Sequence, residues 1–166
     1  MVETPLGVLR AEDIASASPR LTVLVMGTSD LAKDLGAAHT PDRAPFMTSF
    51  GLCLLAARAH GCAILDGVHL NLPDDAEFAA HCAQAAQMGF DGKTLIHPKQ
   101  VSPANDAFGP SADDIAQARR IVEAYEAGIA AGQGVVTLDG QLIENLHAEG
   151  ARRTIQLADA IAALSE

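Results

Sequence analysis

Glu3 and Asp30 are the residues of this sequence best suited to hold a divalent cation. Glu3 closes a short stub, Met1-Val2-Glu3, and Asp30 follows the aliphatic run Leu21-Thr22-Val23-Leu24-Val25-Met26 through Gly27-Thr28-Ser29. Two carboxylates on neighbouring strand ends suit Mg²⁺, which takes one or two protein carboxylates and leaves its other positions to water and substrate oxygens. An α-keto or α-hydroxy carboxylate would fill those positions. Gly27, Thr28 and Ser29 form a glycine-started turn that opens a helix, so free backbone N–H groups and the helix dipole are expected to face a substrate carboxylate. Taken locally, each piece has an alternative: Ser29 or Asp30 as a helix cap, Glu3 as a terminal residue. The pair gains meaning only if the two strands are adjacent. No Ser-His-Asp or Cys-His arrangement stands out. Cys53, Cys62 and Cys82 sit among Ala and Leu and read as buried thiols. His39, His60, His69, His81 and His147 share no metal-binding motif and read as surface or core residues.

The elements that must position these residues alternate short aliphatic runs with longer Ala-rich stretches, the pattern of parallel strands joined by crossover helices. Four strands are predicted: Met1-Val2-Glu3, Leu21 to Met26, Cys62 to Val68, and Thr94-Leu95-Ile96 running into His97-Pro98. Helices are predicted over 11–17, 29–35 (stopped by Gly36), 45–60 (stopped by Gly61) and 74–88 (stopped by Gly89). Ser111, three residues before Asp114, opens a long helix; a hairpin over 135–143 and a last helix over 145–164 follow. There is no GxGxxG and no P-loop, which removes the main support for a nucleotide-binding open sheet. The expected fold is α/β: about four parallel strands forming the C-terminal half of a TIM (β/α)₈ barrel, followed by a helical C-terminal tail. Residues 1–109 would form the half-barrel carrying the metal-ligand strand ends, and 110–166 the helices and hairpin. In such barrels ligands bind at the C-terminal strand ends, which here are Glu3, Gly27 to Asp30, Asp66-Gly67 and His97-Pro98. His97 reads as a histidine packing a strand end.

Composition bounds the partners. The chain has 166 residues, 49% of them apolar, which excludes a disordered tail, and 11 basic residues against 21 acidic give a net charge of −10. With the basic residues scattered, no nucleic-acid partner is expected. No apolar run approaches the roughly 20 residues that cross a bilayer, and acidic Glu3 stands where a signal peptide would be basic, so no membrane partner and a cytoplasmic location are expected. Strand edges left open by a half-barrel promote pairing, either in a homo-oligomer or with a separately supplied N-terminal half.

Three segments carry a resemblance. Val2-Glu3-Thr4-Pro5-Leu6-Gly7-Val8-Leu9, the run Val25 through Gly36 and the run Gly89 through Val101 resemble, in order and spacing, the signatures of the HpcH/HpaI aldolase and citrate lyase beta-subunit family. The branch they are most similar to is the citryl-CoA and malyl-CoA lyases, and the likeness extends over Ala63 to Val68 and Gly134 to Ile143. The resemblance implies a Mg²⁺-dependent TIM barrel that makes or breaks a carbon–carbon bond between an acyl-CoA thioester enolate and a small keto acid. It implies that Glu3 and Asp30 are the metal ligands and that Gly27, Thr28 and Ser29 face the keto-acid carboxylate. It also implies that Glu144, standing where many relatives carry an Asp, is an acidic residue that reaches the active site of a neighbouring subunit as a candidate catalytic residue. The family's first half, whose basic residues grip substrate and CoA, has no counterpart among these segments. A pyruvate-type class II aldolase that uses the same metal without CoA, or a non-catalytic homologue acting in assembly, are the alternatives.

Overall fold

The computed structural model describes residues 1–164, which divide into two compact units, Met1–Phe108 and the chain from Gly109 onward. In the first unit β1 (Val23–Val25), β2 (Ala63–Asp66) and β3 (Gly92–Lys93) form a parallel sheet in that order, and Val2 adds an isolated parallel bridge to Met26 beside β1. The helices are α1 (Pro5–Leu9), α2 (Ala11–Ser16), α3 (Thr28–Leu35), α4 (Met47–Ala59), α5 (Asp75–Met88) and α6 (Val101–Phe108), with short 3₁₀ turns at Ala44–Phe46 and Pro98–Gln100.

Alternation decides which way each strand residue faces. Leu24, Met26, Ile64 and Asp66 are buried, whereas Val23 is exposed and Val25, Ala63 and Leu65 are half-buried. The buried face packs on a core that includes Phe46, Phe50, Cys53, Ala57 and Phe90, with the Phe50 and Phe90 rings edge to face at 5.5 Å. Among the described residues, helices thus cover one side of the sheet. Gly36 and Gly89 end α3 and α5 in left-handed conformations, where a Cβ would be strained, as those helix ends predict. All three cysteines are buried; burial pushes the Cys53 thiol up to about 11 and keeps it unreactive.

Three elements differ from the sequence expectation. The segment after Glu3 is helical: Thr4 caps α1 by accepting from the Gly7 N–H, with Pro5 in the first turn where its missing N–H costs nothing. The last strand lies at Gly92–Lys93 rather than Thr94–Ile96. Thr94 still donates to the Asp66 carbonyl, but the Ile96 and His97 N–H groups turn to the Gln100 side-chain oxygen, at 3.0 and 3.2 Å, and leave the ladder. His97 is exposed and accepts from the Lys99 N–H at 3.2 Å, so it caps the following turn instead of packing the strand end.

In the second unit α7 (Ala112–Ala130), the hairpin β4 (Val136–Leu138) and β5 (Gln141–Ile143), and α8 (Asn145–Ala163) surround a small cluster of Tyr125, Ile143 and Ala148. Ser111 and Asp114 cap α7 reciprocally. Asp139 and Gly140 both take positive φ, as a two-residue hairpin turn requires. No helix of the described residues is long and apolar enough to cross a membrane.

Candidate active site

The bridge between Val2 and Met26 decides where the two candidate ligands go. The Val2 N–H donates to Val25 O at 2.7 Å and the Gly27 N–H to Val2 O at 2.8 Å, so the first residues of the chain run beside β1 and end level with it. Glu3 is therefore the next residue beyond the bridge, beside the turn that begins at Gly27. A Cβ at Gly27 would overlap the Glu3 Cβ and lie 2.7 Å from its Oε2, so only glycine lets the Glu3 side chain lie over this turn. Gly27 is the N-cap of α3, with no side-chain cap hydrogen bond. Neither Ser29 nor Asp30 caps the helix. They stand exposed in its first turn, and the first N–H groups of α3 have no acceptor within the helix. Thr28, buried, is wedged against the end of β2: a Cβ at Gly67 would lie 2.5 Å from its Oγ1.

The donor set is one of hard oxygens: the Glu3 carboxylate over the turn and the Asp30 carboxylate in its first helical turn. Among the described residues there is no cluster of three or more His, Cys, Asp or Glu that could hold a metal ion. Zinc sites built from several nitrogen or sulfur ligands are thus unsupported, whereas two carboxylates beside an uncapped helix start fit Mg²⁺ completed by water and substrate. Glu144 belongs to the second unit, where it is the N-cap of α8 and its N–H donates to His147 Nδ1 at 3.0 Å.

Asp66, a strand-end residue by its position, points the other way. It is fully buried on the helix-covered face, where Oδ2 accepts from Arg43 Nη1 and from Lys93 Nζ, each at 2.6 Å, while Oδ1 accepts from the Gly67 N–H at 2.8 Å. Arg43 reaches it from a turn in which its own φ is +56°, and its guanidinium lies 5.0 Å over the Phe50 ring. Burial lowers the Lys93 pKa from the usual lysine value, and Asp66 opposes that shift. This ionic lock ties the turn at Arg43 and β3 to the end of β2, and so fixes Gly67 against Thr28. The sequence offered little signal for it: Asp66 and Lys93 are visible beside strands, but Arg43 lies in a turn with no periodicity.

A cleft of about 270 Å³ opens beside Thr28, walled by His39, Arg43, Phe46, His69 and Glu77. His69 and His81, which read singly as unremarkable, meet here as a buried pair.

Residues 1–98 match the family model described as HpcH/HpaI aldolase/citrate lyase. The chain is 52% identical over 163 residues to a (3S)-malyl-CoA thioesterase of Cereibacter sphaeroides, covering 98% of this chain and 57% of that protein. It is 34% identical to the citrate lyase subunit beta of Escherichia coli, covering 95% and 52%. The chain thus spans about half the length of these curated relatives. Among solved structures, the CitE protein of Mycobacterium tuberculosis in complex with magnesium, acetoacetate and coenzyme A superposes with a TM-score of 0.74 at 31% identity, covering 92% of this chain and 58% of that one. A citrate lyase of Burkholderia xenovorans shares the fold with a TM-score of 0.82 at 23% identity, covering 97% and 52%.

Proposed function

Because the chain belongs to the HpcH/HpaI aldolase/citrate lyase family, we propose that it carries the metal half of a Mg²⁺-dependent carbon–carbon lyase. The substrate would be a 3-hydroxyacyl-CoA of the citryl-CoA or malyl-CoA type, cleaved to acetyl-CoA and a keto acid. The observation that carries this reading is the placement of Glu3 over Gly27 at the start of α3, beside the turn that bears Thr28, Ser29 and Asp30. Glu3 and Asp30 would hold Mg²⁺, which when bound polarises the substrate's hydroxyl and carbonyl oxygens as a Lewis acid. The unbonded N–H groups of the first turn of α3 would orient the keto-acid carboxylate, helped by the positive end of the helix dipole. Gly27 keeps that backbone accessible, and Gly67 with Thr28 holds the turn in register with β2. Glu144 would contribute its carboxylate to the site of a neighbouring subunit.

Among the described residues one face of the parallel sheet is covered and the other is half-buried, although parallel sheets are ordinarily buried on both. This supports a C-terminal half-barrel completed by further strands, which the longer relatives have room to supply. The metal half would then act within a barrel closed by those strands or by self-association.

A second reading is thioester hydrolysis, favoured by the 52% identity to proteins named (3S)-malyl-CoA thioesterase. The same ligands would serve it, with water attacking the thioester carbonyl. Malyl-CoA separates the two: lyase action releases acetyl-CoA and glyoxylate, hydrolysis releases malate and free CoA thiol. Calorimetric titration of Mg²⁺ into the chain tests the shared premise. One ion should bind, and Glu3→Gln and Asp30→Asn should each abolish the heat; unchanged binding in both variants would refute the site.

A further inference from the structure

His69, in the loop after β2, and His81, in the middle of α5, are 3% and 9% exposed, and their rings cross at 82° with Nδ1 facing Nδ1 at 3.2 Å. The other ring nitrogens are committed elsewhere. His69 Nε2 lies 3.0 Å from the Asn71 carbonyl oxygen, and His81 Nε2 lies 2.9 Å from the Pro41 carbonyl oxygen. A carbonyl oxygen only accepts, so each Nε2 must carry a hydrogen for these bonds to exist. With both hydrogens there, two Nδ1 lone pairs confront each other, and their contact becomes a hydrogen bond only when a further proton lies between them. Three bonds need three protons, and two neutral imidazoles bring two.

We propose that His69 and His81 bind one proton jointly and act as a proton-operated clasp on the wall of the cleft beside Thr28. With the proton in place, the loop at Asn71 and the turn at Pro41 are both tied to α5. Without it one of the three bonds is lost: a carbonyl loses its donor, or the two Nδ1 lone pairs repel and the rings part. The two segments carry Arg43 and Asn71, which line the cleft together with His39 and Phe46, and both are also joined to α5 through Gln84 and Glu77, so the proton tightens or loosens this wall without detaching it.

The charges around the pair set the range in which it works. Glu77, on α5, places a carboxylate oxygen 4.0 Å from each Nε2 and offsets the shared positive charge. Arg43 from the turn and Lys93 from β3 oppose it, and Asp66 from β2 neutralises part of theirs. Asp75 and Lys99, paired at 2.6 Å, border the second cavity that touches His69. Burial, followed by Arg43, Lys93 and His69, pushes His81 below the ordinary histidine range, against the pull of the Pro41 carbonyl. On the far side of the loop, Gln100 Nε2 donates to the His69 carbonyl at 3.3 Å, which keeps residue 69 in place, and Asn71 Nδ2 donates to Glu77 Oε2 on α5 at 2.7 Å.

Nitrogen-15 NMR of the imidazole rings across roughly pH 5 to 8 tests the clasp directly. The two rings should titrate together, take up one proton between them and show hydrogens on both Nε2 atoms at the acid end. Amide exchange at Leu72 and Asp42, corrected for its intrinsic pH dependence, should slow as that proton binds. In His69→Phe and, separately, His81→Gln, the remaining histidine should titrate alone and the exchange at both segments should lose its pH dependence. Two independent titrations summing to two protons, or an unchanged exchange profile in either variant, would overturn the proposal.

Discussion

Besides its surface pairs, the first unit seals an ionic cluster inside, whereas the ion pairs described in the second lie at its surface. In Met1–Phe108 the ion pairs of Asp66 with Arg43 and Lys93 are sealed inside, with side-chain exposures of 0%, 7% and 1%. From Gly109 onward the pairs Arg120–Asp139 and Arg152–Glu126 lie at the surface, with every partner at least 40% exposed. A surface pair competes with water and salt and contributes little, whereas a buried one has already given up its hydration and depends on each partner remaining. The first unit therefore adds to its apolar core a lock that fails if any one member is lost, while the second has its small apolar cluster and its helix cap. The lock lies behind the candidate site, where the position of Gly67 and Thr28 depends on it.

The largest effect expected from this contrast is in the lock. Asp66→Asn leaves two buried cations without their anion and should destabilise the first unit by about 3–5 kcal/mol, read from denaturant unfolding of the full chain. Replacing Arg43, Asp66 and Lys93 together by Met, Leu and Met should recover much of that loss, because an apolar core of similar volume carries no unpaired charge. If the triple variant were as unstable as the single one, the damage would come from packing and not from stranded charge. Asp139→Asn in the second unit, by contrast, should leave the unfolding midpoint nearly where it was.

The next effect reverses the comparison by striking the second unit's packing. A Cβ on Gly128 of α7 would run into Cγ1 of Val136 on β4. Gly128→Ala should cost about 1–3 kcal/mol through forced displacement of the hairpin. Hydrogen exchange should quicken in α7 and β4 while the amides of β1 and β2 keep their protection. Adding Val136→Ala should relieve most of the strain, and failure to do so would place the conflict in the helix itself.

How much of this was legible in the sequence follows from the range of the interactions. The helix ends at Gly36 and Gly89, the Ser111–Asp114 box and the hairpin turn are local, and each stands where its residues predict. The neighbourhood of Glu3 and the Gly27 turn was legible because strand alternation and the resemblance pointed the same way. For Asp66, proximity to a strand's end does not say which face the side chain takes; the alternation from Ile64 does. The last strand ends before Thr94–Ile96 because the Ile96 and His97 N–H groups go to the Gln100 side chain, which comes from a turn further along the chain. The His69–His81 pair had no local signature at all, since a loop and a helix had to fold together before the rings could meet.

The smallest effect concerns the cap that opens α7. Asp114 accepts from the Ser111 hydroxyl at 2.6 Å and from the Ser111 N–H at 3.0 Å, and these bonds hold its carboxyl below the usual carboxylate value. A folded pKa lower than the unfolded one means that the unfolded chain binds the proton more readily, so the contribution is complete above the unfolded value of about 3.9. It is lost as pH falls through the lower folded value. Asp42 in the first unit follows the same sign, held down by the Thr40 hydroxyl at 2.6 Å and the Ala44 N–H at 3.1 Å in the turn that carries Arg43. Acidification below about pH 4 should thus loosen both the start of α7 and the Arg43 turn, seen as faster amide exchange in Asp114 and Ala44. Asp114→Asn should remove the response at α7 and leave that at Ala44 intact. If Asp114 instead titrated at or above the ordinary carboxylate value, the reciprocal cap would not be holding the helix, and the second unit would rest on its apolar cluster alone.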